Sequence, residues 1–296
     1  MHVKVGGAYK SCCESIFVKV NGSYKHVTNM YNKVLGTWKE YDLSCAIPPV
    51  VEPPNIDNMW LNYQLDYKLL ASGSDVVSWE DAVNGNIMLA STPVPPTLDA
   101  TNPLIGLPTP RTGGGVKYLR KYGTIAGAPA INTETITFAL IFRGGAYVNP
   151  SDWDGQGTAR RILSFYKYVA GSYSPLIEIA QRPSTMAVSI KVGGSSYMSI
   201  GAAGSNWTML IVSLVKNDTD REIRYKLNGG ALTAVTFATG AWAANMDILE
   251  IGAYSFGSTA TFPGNYGALM SWKGVTFSTA DYAKLEEYLR AKYGLA

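Results

Sequence analysis

The apolar segments of this chain are short, and this limits its fold more than any other feature. The longest predominantly apolar runs, such as Met209–Val215, reach about seven residues, whereas a membrane-spanning helix needs about twenty. Charged residues make up only 16% of the sequence, and 30 glycines and 15 prolines interrupt it. This combination favours an all-β protein with many turns over a helical bundle or a coiled coil.

The pattern of residues after position 55 predicts the architecture of most of the chain. Short segments with alternating apolar and polar residues recur there, separated by turn residues, as in strands with one buried face. Seven or more such strands in about 240 residues are typical of a β-sandwich or jelly roll. The clearest predicted strands are Ile136–Phe142, Arg161–Phe165, Met186–Val192, Trp207–Val215, Glu222–Leu227, Ile248–Ile251 and Leu269–Val275.

A single helix is predicted, close to the C-terminal end of the sequence. Ser278 or Thr279 can cap its first turn, an apolar face runs from Tyr282 to Leu289, and Gly294 can end it. The predicted fold of the large domain is therefore an antiparallel β-sandwich, of the jelly-roll type, with a C-terminal helix.

The first 45 residues contain a repeat. The segment Val3–Lys10 recurs as Val18–Lys25, and a third, more divergent copy is Asn32–Lys39. Each copy has an apolar-Lys-apolar stretch, a glycine-containing turn and an aromatic-Lys pair, which together predict a β-hairpin. Alternation along the strands predicts that the lysines line one face and the valines and aromatic residues the other. The aromatic residues of the three copies are Tyr9, Tyr24 and Trp38.

These copies resemble a short repeat, with variants of V-K-V-N-G-x-W-K, found near one end of tail and tail-fibre proteins of tailed bacteriophages. The resemblance covers about 40 residues and implies a role in attachment or assembly within a virion. On this interpretation Tyr9, Tyr24 and Trp38 mark the attachment surface. The alternative is a small β-module without a particular function.

The sequence predicts three regions. Residues 1–45 form the β-hairpin repeat module, residues 46–54 a proline-rich linker, and residues 55–296 the large domain. The linker is expected to be extended polyproline II, at roughly 3 Å per residue, and to act as a spacer. The first residues lack the apolar stretch of a signal peptide, so Sec export is not expected.

Several short motifs stand in a fixed order between residues 60 and 296. They are Val77–Asp81, Asn84–Asn86, Pro96–Leu98, Ile105–Arg111, Thr135–Phe142, Arg161–Phe165, Tyr225–Gly230, Gly264–Leu269 and Leu285–Leu295. In this order they resemble the laminin-G-like domains of the concanavalin A-like superfamily. The resemblance implies a jelly-roll sandwich and a binding module for sugars or proteins, although a fold of this kind does not determine a function.

The distribution of cysteine and histidine limits the possible chemistry. Every Cys and His lies in the first 45 residues, so the large domain lacks a Ser-His-Asp triad, a Cys-His nucleophile and a histidine-ligated zinc. Paired carboxylates, as in glycoside hydrolysis, remain possible. Asp218, Asp220 and Glu222 have the spacing of laminarinase-like glycosidases in the same superfamily, but their polar neighbours indicate a hairpin turn. We therefore expect no enzymatic activity, with a glycoside hydrolase as the least favoured alternative.

The three cysteines do not indicate a disulfide framework. Cys12, Cys13 and Cys45 are odd in number, and two of them are adjacent. Together with His26 they could form a metal site, but they lack the CxxC spacing of structural zinc. We expect buried thiols and no required cofactor.

One loop combines possible ligands for a metal and for a sugar. Asp152 and Asp154 offer oxygen ligands at alternate positions beside a glycine, which suits Ca²⁺. Trp153 lies between them and can stack on the apolar face of a sugar ring. The alternative is an ordinary solvated turn.

A predicted strand next to this loop carries candidate glycan-binding tyrosines. Tyr166 and Tyr168 alternate and so share one side of the strand, and Tyr173 follows in the next turn. The three rings could form a platform for a sugar. The alternative is that they are half-buried strand tyrosines, which are common in β proteins.

These features predict a structural virion protein of a tailed bacteriophage, assembled in the host cytoplasm, whose C-terminal lectin-like domain binds host surface glycan. The net charge of +3 lies in the first 45 residues and is too weak to indicate nucleic-acid binding, and no membrane insertion is expected. The expected partners are other virion proteins, host polysaccharide and further copies of the chain in a homo-oligomer. The alternative is a purely structural decoration, neck or fibre-base protein that binds other virion proteins.

Overall fold

The computed structural model divides the chain into two compact units, Met1–Glu52 and Pro53–Ala296. Before residue 43 it describes the backbone of six strands, and at residues 102, 107–111, 169 and 172–173 it describes the backbone alone. The described residues from position 52 onward are 52–92, 94–104, 107–112, 117–129, 134–144, 160–169, 172–181, 187–193, 197–203, 206–216, 221–237, 246–252, 262 and 264–295.

The described strands of the first unit form three separate antiparallel hairpins. β1 pairs with β2, β3 with β4, and β5 with β6, and two residues separate the strands of each pair. Such connections are typical of tight hairpins, so the predicted hairpin repeat is confirmed. The strands are β1 (His2–Val5), β2 (Ala8–Ser11), β3 (Phe17–Val20), β4 (Ser23–His26), β5 (Asn29–Val34) and β6 (Thr37–Asp42).

The register of these hairpins corrects one expectation. In each hairpin the aromatic position lies directly opposite a lysine, and residues directly opposite in an antiparallel pair share a face. The expectation that lysines and aromatic residues occupy different faces is therefore wrong, because a two-residue turn pairs positions that are an odd number of residues apart. The opposed pairs are Lys4 and Tyr9, Lys19 and Tyr24, and Lys33 and Trp38.

The described part of the second unit contains a short 3-10 helix at Ile56–Asn58, seventeen strands and one α-helix. The elements are β7 (Met59–Gln64), β8 (Leu69–Ser72), β9 (Asp75–Glu80), β10 (Ile87–Ala90), β11 (Thr97–Leu104), β12 (Leu107–Arg111), β13 (Leu119–Lys121), β14 (Ile136–Gly144), β15 (Arg160–Val169), β16 (Ser172–Gln181), β17 (Ala187–Val192), β18 (Met198–Ala202), β19 (Trp207–Lys216), β20 (Arg221–Leu227), β21 (Thr233–Phe237), β22 (Ile248–Ile251), β23 (Gly264–Lys273) and α1 (Thr279–Tyr293).

The strands form two antiparallel sheets. The first sheet has the order β7-β23-β14-β19-β20-β21. The second has the order β8-β9-β10-β13-β22-β15-β16-β17-β18. The β11–β12 hairpin connects them, because β11 pairs with β9 and β12 with β23. The predicted antiparallel sandwich is confirmed.

The core lies between the two sheets and is rich in aromatic rings. Phe138 on β14 meets Phe165 on β15, with 5.2 Å between ring centroids, and Trp60 on β7 meets the same ring at 6.0 Å. Tyr63 on β7 meets Trp79 on β9 at 5.6 Å. All five side chains are fully buried. Because the partners of each contact belong to different sheets, these rings join the sandwich, and each buries roughly 150–250 Å².

The C-terminal helix has the predicted ends and covers the outer face of the first sheet. The Ser278 hydroxyl accepts from the Asp281 N–H, and the Asp281 carboxylate accepts from the Ser278 N–H, which forms a capping box. Gly294 ends the helix at a φ of +63°, a conformation that glycine adopts without strain. Near the first turn, the Tyr282 hydroxyl lies 2.5 Å from Ser213 Oγ on β19.

No helix in the described ranges is long and apolar enough to span a membrane.

Candidate functional site

For most of the predicted site residues, the structure describes either nothing or the backbone alone. Trp153, Asp152 and Asp154 lie outside the described residues, so the glycan and calcium predictions for this loop stay predictions. Among the residues that are described, no group of three or more His, Cys, Asp or Glu side chains could hold a metal ion. The repeat residues Tyr9, Tyr24 and Trp38 lie on β2, β4 and β6, where only the backbone is described.

The predicted tyrosine platform is divided by burial. Tyr166 is only 1% exposed, so its ring offers no stacking surface in this structure, whereas Tyr168 is 50% exposed. The Tyr168 N–H donates to Asp247 Oδ2 at 3.0 Å, which fixes the backbone beside the exposed ring. Tyr173 lies opposite Tyr168 on β16, and its side chain is not described.

Tyr168 belongs to a face of the second sheet that points away from the core. Residues next to each other on a strand point to opposite faces, and Phe165 packs in the core. Ser164 and Tyr168 therefore lie on the other side, which we call the outer face. Strand register carries this face across eight strands, because directly opposed residues share a face. The resulting cross-sheet row is Leu70, Ser78, Leu89, Arg120, Glu250, Ser164, Glu178 and Lys191.

The middle of the cross-sheet row is charged and buried. Arg120 forms an ion pair with Glu250, and their side chains are 2% and 0% exposed. The Arg120 guanidinium lies 4.3 Å from the ring centroid of Tyr118 and 5.0 Å from that of Tyr122, and it also donates to the Tyr122 hydroxyl. Partial burial raises the pKa of Tyr118, so this ring stays neutral at physiological pH. The cation fixes the positions of two aromatic rings.

A second buried carboxylate lies two strands away from Glu250. Glu178 accepts a hydrogen bond from Arg161 Nε at 3.3 Å and from the Tyr197 hydroxyl at 3.0 Å, and Lys191 Nζ lies 3.6 Å from it. Ser164 lies between the two carboxylates, and its buried hydroxyl has no hydrogen-bond partner among the described residues. The centre of the outer face is therefore a chain of polar groups that water does not reach.

Exposed rings and apolar side chains border this buried centre. Tyr122, directly after β13, is 51% exposed, close to the value for Tyr168. Leu70 and Leu89 in the cross-sheet row are also exposed. The outer face thus combines aromatic surface for stacking with polar groups held in fixed positions, which is the usual composition of a site for a polar organic ligand.

Sequence reasoning did not find Tyr122, Arg120 or Glu250. The stretch Tyr118-Leu119-Arg120-Lys121-Tyr122 does contain a usable pattern, because two tyrosines and an arginine alternate and must share one face of a strand. The partner carboxylate on β22 lies 130 residues further along the chain, and only the strand register identifies it.

No protein-family model and no curated protein matches the chain. Among solved structures, it is similar to the Trypanosoma rangeli sialidase in complex with sialic acid, with a TM-score of 0.52 and 11% identity over 80% of this chain and 33% of the sialidase. It is also similar to the binding domain of Paraclostridial Mosquitocidal Protein 1, with a TM-score of 0.50 and 8% identity over 79% of this chain and 52% of that one. This chain thus spans about a third of the sialidase. At such identities the likeness shows the fold alone, and that fold is compatible with a concanavalin A-like sandwich.

The comparisons correct the expectation that the chain is not an enzyme. Sialidases are glycosidases, and several of the similar structures are sialidases. The absence of Cys and His from the large domain therefore does not rule out an enzyme, since a sandwich of this kind does occur in glycoside-cleaving proteins. Of the carboxylates weighed in the sequence, Glu222 lies on β20 and pairs with Arg224 at 3.0 Å; Asp218 and Asp220 lie outside the described residues.

The buried ion pair predicts that removing one of its two charges strongly destabilises the fold. We expect Glu250→Gln to lower the free energy of unfolding by about 3–5 kcal/mol, because it removes the carboxylate that compensates the buried charge of Arg120. Glu222→Gln, in the more exposed pair with Arg224 (side chains 18% and 29% exposed), should cost less than about 1 kcal/mol. Urea denaturation of both variants measures the difference.

The double variant Arg120→Met/Glu250→Met distinguishes charge burial from a general loss of packing. Because it removes both charges and places an apolar side chain of similar size at each position, it should recover much of the stability lost in Glu250→Gln. Equal losses in Glu250→Gln and Glu222→Gln would contradict this account of the outer face.

Proposed function

We propose that this chain is a virion protein of a tailed bacteriophage, a tail, fibre or appendage component, whose second unit binds host surface glycan on the outer face of the second sheet. The glycan-binding part rests on one observation: Tyr122 and Tyr168 are half exposed on the same face, and the Tyr122 ring is held against the buried Arg120. The virion part is supported by the hairpin repeat and its resemblance to phage tail proteins.

The geometry of the two tyrosines favours an oligosaccharide over a single sugar. Tyr122 follows β13 and Tyr168 lies on β15, and β22 runs between these strands. Neighbouring strands are about 4.8 Å apart, so the two positions are separated by roughly 10 Å across the sheet. A ligand that contacts both rings must therefore extend over more than one sugar unit.

The fold is consistent with such a role. One similar structure is a sialidase solved with sialic acid, and another is described as the binding domain of a mosquitocidal protein. Both show that this sandwich occurs in proteins that act on or bind a target.

Loss of either ring should weaken glycan binding by the full-length chain. On an array of bacterial surface polysaccharides, we expect Tyr122→Ala and Tyr168→Ala each to lower the affinity about three- to tenfold, since ring contacts are worth about 0.5–1.5 kcal/mol. Tyr122→Phe and Tyr168→Phe, which keep the rings, should retain most of the affinity.

The matched control is Tyr225→Ala, which removes a partly exposed tyrosine from β20 of the first sheet and should leave the affinity unchanged. Undiminished binding by a Tyr122→Ala/Tyr168→Ala double variant would rule out the outer face as the site. An arm with a calcium chelator tests the prediction for Asp152 and Asp154. If no polysaccharide binds, the purely structural alternative is favoured.

A second candidate function is glycoside hydrolysis, because similar structures with this sandwich include sialidases, which are glycosidases. Glu178 and Glu250 are not candidates for the reacting carboxylates, since both are buried and paired with Arg161 and Arg120. This function predicts that reducing ends appear in the same polysaccharide mixtures. An absence of reducing ends with the unaltered chain would eliminate the candidate.

Attachment through the repeat predicts an effect on incorporation into particles. We expect the full-length variant Tyr9→Ser/Tyr24→Ser/Trp38→Ser to be lost from purified particles while its glycan binding persists, because the two functions reside in different units. Mass spectrometry of the particles measures incorporation, and Tyr122→Ala should be incorporated normally. Normal incorporation of the triple variant would argue against the attachment surface, and absence of the unaltered chain from particles would refute the virion assignment.

A further inference from the structure

A pocket of about 410 Å³ lies where the C-terminal helix ends, and its volume is within the range of small-ligand sites. It belongs to the first sheet and is separate from the outer face of the second. Its polar and aromatic lining residues come from β14, β19, α1 and the turns beside them. They are Arg143, Asn206, Trp207, Asn228 and Arg290.

The direction of the helix explains why the sheet is open at this point. The first turn of α1 lies over Ser213, through the contact with Tyr282. Trp207 is six residues before Ser213 on β19 and therefore lies on the same face. Arg143 is directly opposite Trp207 on β14. Because Gly294 ends the helix beside these residues, the last part of the sheet face is left as the floor of a pocket.

The wall formed by the β20–β21 turn is held in place by its own hydrogen bonds. Asn228 has a φ of +49°, and its side-chain Oδ1 accepts from the Met209 N–H at 2.8 Å. Its own N–H donates to the Met209 carbonyl at 2.9 Å. These two bonds fix the turn against β19, so the wall exists before any ligand arrives, which lowers the entropic cost of binding.

Charged side chains surround the pocket. Arg290 Nε donates to Glu286 Oε1 at 2.9 Å, and Lys226 Nζ lies 2.5 Å from the other oxygen of Glu286. Burial alone would raise the pKa of Glu286, but the hydrogen bonds from Lys226 and Arg290 outweigh it and lower the pKa below its usual value. Glu286 therefore holds the side chains of Arg290 and Lys226 in place beside the pocket, and Arg143 supplies a second guanidinium group from β14. The helix C-terminus also attracts a cation such as Arg290.

We propose that this pocket binds a sugar that carries a carboxylate. The planar guanidinium groups of Arg143 and Arg290 suit a carboxylate, with which arginine forms paired hydrogen bonds. The partly exposed Trp207 offers an apolar surface for the sugar ring, and the side-chain amides of Asn206 and Asn228 are of the type that bonds hydroxyls. An aromatic side chain on the floor of the pocket, beside two guanidinium groups, favours a ring with a carboxylate over a bare inorganic anion.

Calorimetric titration of the full-length chain with D-glucuronate, D-glucose and inorganic phosphate tests the proposal. We expect D-glucuronate to bind at least tenfold more tightly than either of the others. Arg143→Gln and Trp207→Ala should each lower its affinity, the first by about tenfold or more, because hydrogen bonds between charged groups are among the strongest in a binding site. Arg143→Lys should recover only part of the loss, since it keeps the charge but not the planar fork.

Lys216→Gln is the matched control, because it removes an exposed positive charge from the other end of the same strand, β19. The proposal is overturned if D-glucuronate does not bind, if D-glucose or phosphate binds equally well, or if Arg143→Gln and Trp207→Ala leave the affinity unchanged. Tyr122→Ala/Tyr168→Ala should not affect D-glucuronate. A loss of D-glucuronate affinity in that variant would indicate that the ligand binds to the second sheet. The pocket and the proposed glycan-binding face can therefore fail independently.

Discussion

The pairing of β14 with β23 and β19 is the interaction on which the rest of the second unit depends. β14 is hydrogen-bonded along both edges, and all of its residues except Arg143 are buried. Its inward-facing Phe138 contacts the second sheet through Phe165. On its other face, Thr137 Oγ1 lies 2.7 Å from Ser213 Oγ, and the same Ser213 oxygen contacts the Tyr282 hydroxyl of the C-terminal helix. β14 is thus paired within the first sheet, packs in the core and connects, through Ser213, to the helix.

The second sheet differs from the first because it buries charged side chains as well as apolar ones. Its inner face is apolar, but its outer face contains buried charges, and removing such charges from water is costly unless each is paired. Arg120 with Glu250, and Arg161 with Glu178, meet this requirement across neighbouring strands. These contacts place the aromatic rings beside them without further ordering by a ligand. The proposed glycan-binding face lies on this sheet for that reason, whereas the proposed ligand pocket takes its two guanidinium groups from a helix and a strand.

Local patterns in the sequence were sufficient for most of the elements. The strand predicted at Ile136–Phe142 is observed as Ile136–Gly144, and Ile248–Ile251 is observed with the predicted ends. Alternation and turn residues act within a few positions of each other, as do the Ser278 cap and the Gly294 stop of the helix. Such features can be read from neighbouring residues alone. The face assignment in the N-terminal hairpins failed because it depended on register, which pairs Lys4 with Tyr9 across a turn.

The candidate sites were much less accessible from the sequence. Tyr166 and Tyr168 have the same local pattern, yet one is buried and the other half exposed, because burial depends on which distant segments cover each position. The sequence by itself determined an all-β chain with a hairpin repeat and a single terminal helix, since alternation, turn chemistry and capping act over a few residues. Only the tertiary structure decided that Arg120 meets Glu250 and that Arg143, Trp207 and Arg290 line one pocket. These contacts join residues far apart in the chain, and only strand order and register bring them together.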